Sequence, residues 1–301
     1  MDGLDPAIRT GRLVEVQPDI RLHCAEAGRE GAPPIVFVHG FPEFWYAWKD
    51  VLPAFADRWH AVAPDLRGFN LSSAPADPKA YRADRLVGDL DGLIRALGHE
   101  RAVVVAHDWG GAVAWALAIA RPERVSRLVI LNAPHPVPFA RLLADDPAQQ
   151  AASAYMNALR APGAEAALAA DDFAGLERLF ADVSPAPWFD AGTRAAYHAA
   201  WSRPGVLTGA VNYYRASPLY PPIGDDPGAR RLVLDPADFV VRVPTCVLWG
   251  ERDRALLPAL LDGLDALVPE LTVHRLPGCS HWLAHEAPGR VAALIRGFVE
   301  A

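Results

Sequence analysis

The chain has 301 residues, 51% of them apolar and 22% charged, a composition that can bury a sizeable core and excludes a disordered or fibrous chain. Its net charge is −7, and Lys49 and Lys79 are its only lysines. No basic stripe or cluster stands among the arginines, so neither nucleic acid nor an anionic membrane is an expected partner.

The opening stretch MDGLDPAIRTGRLVEV carries acids and a proline where a secretory signal needs a cationic start and an apolar run, which argues against export. RLVEVQP and IRLHCAEAG then predict an antiparallel hairpin at one edge of a sheet. Six short apolar runs come next: PIVFVHG (34–40), HAVAPDLRG (60–68), RAVVVAHD (101–108), RLVILNAP (127–134), TCVLWGERD (245–253) and LTVHRLPG (271–278). They alternate with longer helical patterns, as strands of a parallel sheet alternate with crossover helices. Polar positions are too few for half-exposed strands, so both faces of the sheet are expected to be covered.

Between the fourth and fifth runs the rhythm changes. Residues 135–240 hold helical fragments, AQQAASAYMNALR and DDFAGLERLF among them, separated by the Pro-rich stretches VSPAPWFD and SPLYPPIGDDPG. This predicts a helical cap inserted into an α/β core made of residues 1–134 and 241–301. Nowhere do about 18 uninterrupted apolar residues occur, so no membrane span is expected. Cys24, Cys246 and Cys279 are odd in number, far apart and without metal-ligand spacing. They read as small core fillers in a reducing, cytoplasmic setting, with no metal site.

Ligands of open α/β sheets bind at the carboxyl ends of the strands. The residues at the ends of the runs are therefore the candidates for chemistry: His39-Gly40-Phe41-Pro42, Asp65-Leu66-Arg67-Gly68, Asp108-Trp109-Gly110-Gly111, Asn132, Asp253, and GCSHW with His281. In AHDWGG, Ala106, Asp108 and Gly110 hold the small-x-nucleophile-x-Gly places between a strand and a helix, a turn that lifts the middle side chain off the sheet. A serine attacking a saturated carbon there would form an ether that water does not readily cleave. An aspartate forms an alkyl ester, which water can hydrolyse at the aspartate's own carbonyl. The carboxylate thus points to substrates with an electrophilic sp³ carbon and away from ordinary ester or amide hydrolysis.

His281 and Asp253 come after the last two strands, completing the chain order nucleophile, acid, histidine. His281 is expected to take a proton from water while Asp253 sets its tautomer, with the backbone N–H groups of Trp109 and Phe41 as the oxyanion hole. Each residue has a plainer reading. An aspartate after a strand is often a helix N-cap, and a buried histidine is often only packed; the three positions together decide for catalysis. His285 lies one helical turn from His281, Glu251 competes with Asp253, and Asn132, at the end of the fourth run, is uncharged. Asp65 and Arg67 read as braces under the loop, His274 as packing or surface, and RGFNLSS lacks the lysine and glycines of a phosphate loop.

HGFPEFWYAW, DLRGFNLSS, AHDWGG, WGERD and GCSHW together resemble the α/β-hydrolase fold, and within it the epoxide hydrolases and haloalkane dehalogenases. The likeness runs from about residue 10 to the end, and it departs at Ala106, where the family usually has glycine. It implies a mostly parallel sheet with helices on both faces, an inserted helical cap, and no cofactor. The two chemistries differ in the leaving group: halide departs as a stable anion, whereas an opened epoxide leaves as an alkoxide that needs a proton. SAYMNALRAPGAEAAL and NYYRAS resemble the cap segments that carry the acid tyrosines of epoxide hydrolases, which assigns those roles to Tyr155 and Tyr214 rather than to Tyr197, Tyr213 or Tyr220.

Haloalkane dehalogenases commonly have asparagine where this chain has Phe41, and share the tryptophan at Trp109. Fluoroacetate dehalogenases have arginine after the nucleophile, and none comes directly after Asp108 here. The expected function is therefore conversion of a small apolar epoxide and water to a vicinal diol, with Phe41, Trp109, Met156 and Trp188 shaping the substrate pocket. A haloalkane or haloacid dehalogenase on the same aspartate is the first alternative, and a weakly catalytic ligand receptor on this scaffold the second. The sequence carries no signal for oligomeric state.

Overall fold

The computed structural model describes residues 4–181 and 187–301. The predicted hairpin forms from β1 (Arg9–Gln17) and β2 (Ile20–Gly28), paired antiparallel with Val14 opposite Leu22. Six further strands complete one sheet: β3 (Pro34–Val38), β4 (His60–Pro64), β5 (Ala102–His107), β6 (Val125–Leu131), β7 (Thr245–Gly250) and β8 (Leu271–Leu276). The order across the sheet is β1-β2-β4-β3-β5-β6-β7-β8. From β4 to β8 all neighbours run parallel, and β2 joins β4 antiparallel.

Burial matches the apolar runs. Every residue of β3, β4, β5 and β7 is buried, as expected of strands covered on both faces. β8 departs from the expectation: Thr272, Val273 and Arg275 are exposed. It pairs with β7 alone, so it is an edge whose outer side meets solvent. The arginine suits such an edge, since a charge discourages another chain from adding to it.

Helices α1 (Ala83–Ala96) and α2 (Asp108–Ala120) connect core strands. Gly92 of α1 lies so close to β1 that a Cβ there would stand 2.0 Å from the Val16 carbonyl oxygen, so only glycine permits that approach. Between β6 and β7 the chain forms α3 (Pro136–Asp145), α4 (Pro147–Ala152), α5 (Tyr155–Arg160), the interrupted helical stretch α6 (Ala164–Ala181), α7 (Ala191–Trp201) and α8 (Val206–Ala216). Asp146 and Asp190 cap α4 and α7 by accepting from the amides of Gln149 and Thr193.

The predicted helix over DDFAGLERLF starts later than its pattern suggests. Asp171, Asp172 and Phe173 have φ of 50°, 55° and 64°, a left-handed break inside α6. Aspartate tolerates that region better than most residues, and the helix resumes beyond it. Part of VSPAPWFD lies outside the described residues. After β8 come α9 (Leu283–Glu286) and α10 (Pro288–Val299). No helix among the described residues is long and apolar enough to cross a membrane.

Candidate active site

β5 ends at His107 and α2 begins at Asp108 with no residue between, so the chain must reverse direction within the nucleophile's own backbone. Asp108 accordingly sits at φ 50°. The glycines around it make the turn possible. A Cβ at Gly110 would meet the carbonyl oxygens of His39 and Val38 at 2.4 and 2.5 Å, and one at Gly40 would meet the Asp108 Cβ and Oδ1 at 2.3 Å. Ala106, which stands in place of the usual glycine, is buried in register with Val38 and Ile130, and the strained turn forms all the same.

The turn holds the Asp108 carboxylate between two groups. Its Oδ1 accepts the Phe41 N–H at 2.7 Å, and its Oδ2 faces His281 Nε2 at 3.7 Å. His281 Nδ1 donates to Asp253 Oδ2 at 2.7 Å, so the three residues form a line from Asp108 to Asp253. Asp253 Oδ1 accepts the amides of Ala255 and Leu256 at 2.8 and 2.9 Å. Asn132 donates to Asp253 Oδ2 at 2.6 Å while its own oxygen accepts the Gly250 amide. The residue read as an absent acid is thus a brace for the acid that is present.

Burial opposes the charge on Asp253, but His281, the Leu256 amide and Asn132 outweigh it and hold the carboxyl below its ordinary range. Burial opposes the charge on His281 as well. The attraction and hydrogen bond of Asp253, with help from Asp108, lift its pKa to about 9 all the same. With the Asp108 carboxylate intact, the imidazole therefore carries its proton at neutral pH.

Across the cavity from the elbow stand two phenols. Tyr155 on α5 and Tyr214 on α8 line the same cavity as Asp108 and Trp109, a space of about 390 Å³. Their rings meet edge to face at 6.1 Å, and the Tyr214 hydroxyl interacts with the hydroxyl of Tyr155 and the indole of Trp109. Burial, then the nearby Asp108, pushes Tyr155 well above the ordinary phenol range; burial does the same to Tyr214, followed by Tyr155 and Asp108. Both remain protonated donors over the whole neutral and mildly alkaline range. The other three tyrosines are spent elsewhere: Tyr197 donates to Glu43, Tyr213 to the Arg67 carbonyl and Tyr220 to Asp226.

Met156 lines the cavity, while Phe41 contributes its amide and packs its ring edge-on against Tyr214 at 5.3 Å. Trp188 does not join them. It stacks on His285 at 4.1 Å with the rings 9° from parallel, away from the cavity wall. His285, the rival histidine, donates to Glu43 at 2.6 Å, and Glu251 pairs with Arg275. Asp65 accepts from His23, Asn70 and the Trp45 amide, and Arg67 grips Asp89 through two nitrogens, as loop braces would.

Glu43 and His107 escaped the sequence reading. Glu43 lies fully inside the protein, in contact with His107 at 3.1 Å, His285 at 2.6 Å and the Tyr197 hydroxyl at 2.8 Å. Burial works against its charge, yet the two histidines hold it far below the ordinary carboxylate range. His107 reaches on to the His281 carbonyl oxygen at 2.9 Å and packs its ring 4.6 Å from the His281 ring. An acid within HGFPEFW and a histidine directly before the nucleophile were the available signals.

A sheet of this order, a carboxylate on a strained strand-to-helix turn, and a histidine-acid pair after the last two strands define an α/β-hydrolase. The α/β-hydrolase fold family matches residues 33–288. Bacillus subtilis AB hydrolase superfamily protein YfhM is 36% identical over 93% of this chain and 95% of its own length. Mouse epoxide hydrolase 4 is 32% identical over 98% of this chain and 81% of its own. The crystal structure of Bacillus megaterium epoxide hydrolase with an inhibitor superposes with a TM-score of 0.87 at 32% identity, covering 97% of this chain and 100% of the other. The chain belongs to the α/β-hydrolase family, in the branch of the epoxide hydrolases.

Proposed function

We propose that the protein is an epoxide hydrolase that forms a covalent alkyl ester on Asp108 and frees it with water, without a cofactor. The observation that carries this reading is that the Asp108 carboxylate and two phenols near enough to feel its charge line one apolar cavity. The segment between β6 and β7, residues 135–240, serves as the cap that brings those phenols over the core.

Epoxide oxygen binds between the hydroxyls of Tyr155 and Tyr214. Asp108 Oδ2 attacks a ring carbon, the carbon–oxygen bond of the ring breaks, and a phenol gives its proton to the departing oxygen. Oδ1 stays against the Phe41 amide and becomes the carbonyl oxygen of the ester. That position is where negative charge develops when water attacks, so the Phe41 and Trp109 amides serve as the oxyanion hole. Alkylation also removes a charge that helped to lift the pKa of His281. The imidazole then gives up its proton more readily, through solvent to the phenolate left by ring opening, and takes one from the water that adds to the ester carbonyl; the ester bond breaks, the diol leaves with the added water's second proton, and Asp253 holds the ring throughout.

Phe41 offers a leaving halide no side-chain donor, and the Trp109 indole already interacts with Tyr214, so the phenols favour the epoxide reading over the halide one. A single turnover in heavy-oxygen water with excess enzyme tests it. The label is expected in Asp108, because the ester's alkyl-bearing oxygen leaves with the diol and water's oxygen stays on the carboxyl. Label found only in the diol after that turnover would rule out the ester.

A further inference from the structure

We propose that the site takes uncharged terminal epoxides bearing one long apolar tail. The inference rests on the reading of Asp108 as nucleophile and adds the shape and charge of its substrate.

The cavity is not centred on the nucleophile. It runs along one face of α2, where Trp109, Ala112, Val113, Ala116 and Ile119 all line it. These positions recur at helical spacing from the first turn to the last. At 1.5 Å of rise per residue, the line from Asp108 to Ile119 is about 16 Å long. Alanine at 112 and 116 keeps the floor of this trough low. Phe139, Met156, Leu219, Leu232 and Leu256 also line it.

Neither Phe41 nor His281 lines the cavity, and aromatic rings pack around both. The Phe41 ring sits on Tyr214, Trp282 stands edge-on to His281 at 4.7 Å, and Trp201 donates to the Pro42 carbonyl at 2.7 Å. Phe44 and Tyr197 meet at 5.2 Å behind them. The lining extends away from Asp108 along α2, a direction that would accept a chain. A substituent on each ring carbon would need a second arm where these rings stand.

Charge narrows the class further. Asp108 is the only charged side chain that lines the cavity among the described residues; the other polar side chains there are tyrosines, Trp109 and Ser217. A substrate carboxylate drawn into the trough would be stripped of water with no cation to meet it, beside a carboxylate already present. Neutral tails lose nothing on entry, and each buried methylene adds to binding.

The test is diol formation from the terminal series 1,2-epoxybutane to 1,2-epoxyhexadecane, from the trans-2,3-epoxides of equal carbon number, and from a terminal epoxide ending in a carboxylate or its methyl ester. We expect kcat/KM to climb about threefold to fourfold per methylene until the tail reaches Ile119, then to level. The internal isomers and the carboxylate are expected to fall behind the matching terminal and ester substrates by about tenfold or more. Ala116→Phe should move the chain-length optimum to shorter tails and Ile119→Ala to longer ones, so either variant reads the trough if the other fails to fold. Diol formation with a flat chain-length profile, or with internal isomers as fast as terminal ones, overturns the substrate class and leaves the Asp108 chemistry standing. No diol from any epoxide overturns both.

Discussion

In the proposed reaction His281 separates the two half-reactions more cleanly than any other residue. Ring opening needs the Asp108 carboxylate and a phenol proton; only ester hydrolysis needs a base. Replacing His281 by glutamine should therefore leave alkylation running and trap Asp108 as an adduct heavier by the mass of the epoxide, visible by intact-protein mass spectrometry. Sustained turnover by that variant would contradict the assignment. Tyr155→Phe and Tyr214→Phe act on the first step instead, each slowing single-turnover ring opening by about a hundredfold while the ester, once formed, hydrolyses normally. Asn132→Leu would remove one of the donors that hold Asp253 and take from the buried Gly250 amide the oxygen that accepts it, costing about 1–3 kcal/mol of stability and slowing ester hydrolysis more than alkylation. Pre-steady-state kinetics distinguishes the two. Asp108, His281 and Asp253 were legible in the sequence because strand ends tether them to recognisable apolar runs. The support beneath them was not: Glu43, His107 and Tyr197 meet only when a loop after β3, the end of β5 and a helix of the β6–β7 segment converge, and no local pattern announces such a meeting.

The β5–α2 elbow shows how little freedom one element junction has. Asp108 adopts a positive φ that most residues avoid, and Gly110 lets the first turn of α2 press against the backbone of the loop after β3. Gly110→Ala would thrust a methyl into two carbonyl oxygens that belong to the chain itself and cannot rotate away. The expected loss is about 3 kcal/mol, read as a lower urea midpoint, with activity falling further than stability because the nucleophile moves with the helix. A variant as stable and as active as the parent would mean that the junction is softer than its packing indicates. Strand and helix identity at this junction was legible from VVVA and AVAWALAIA, since buried strands and apolar helices differ in length and flanking residues. β8 was misread as covered for the same reason that β3 and β7 were read correctly. A short apolar run reports strand propensity, whereas exposure depends on which strands lie beside it, and that is decided by the order of the whole sheet.

For the molecule as a whole, the buried charges set a pH window that pulls stability and turnover apart. In the folded protein His281 titrates at about 9, whereas an unfolded histidine titrates at about 6.5. Its folded pKa is raised, so the stabilisation it gives with Asp253 is complete below about pH 6.5 and is lost as pH climbs through 9. Asp253 and Glu43 have lowered folded pKa values, so their contributions are present above the unfolded carboxylate range and vanish as pH falls through their folded values. The protein should therefore be most stable in mildly acidic solution, between these limits. Ester hydrolysis asks for the opposite at its alkaline side, because it needs His281 without its proton. Thermal unfolding measured from pH 6 to 9 should show the wild type losing stability, by up to about 3 kcal/mol for the full histidine shift, with a much flatter curve for His281→Gln. Over the same range the ester intermediate of the wild type should decay faster as pH rises. Parallel unfolding curves for the two proteins would mean that the imidazole is not held charged in the folded state, and the rise in hydrolysis would then need another base.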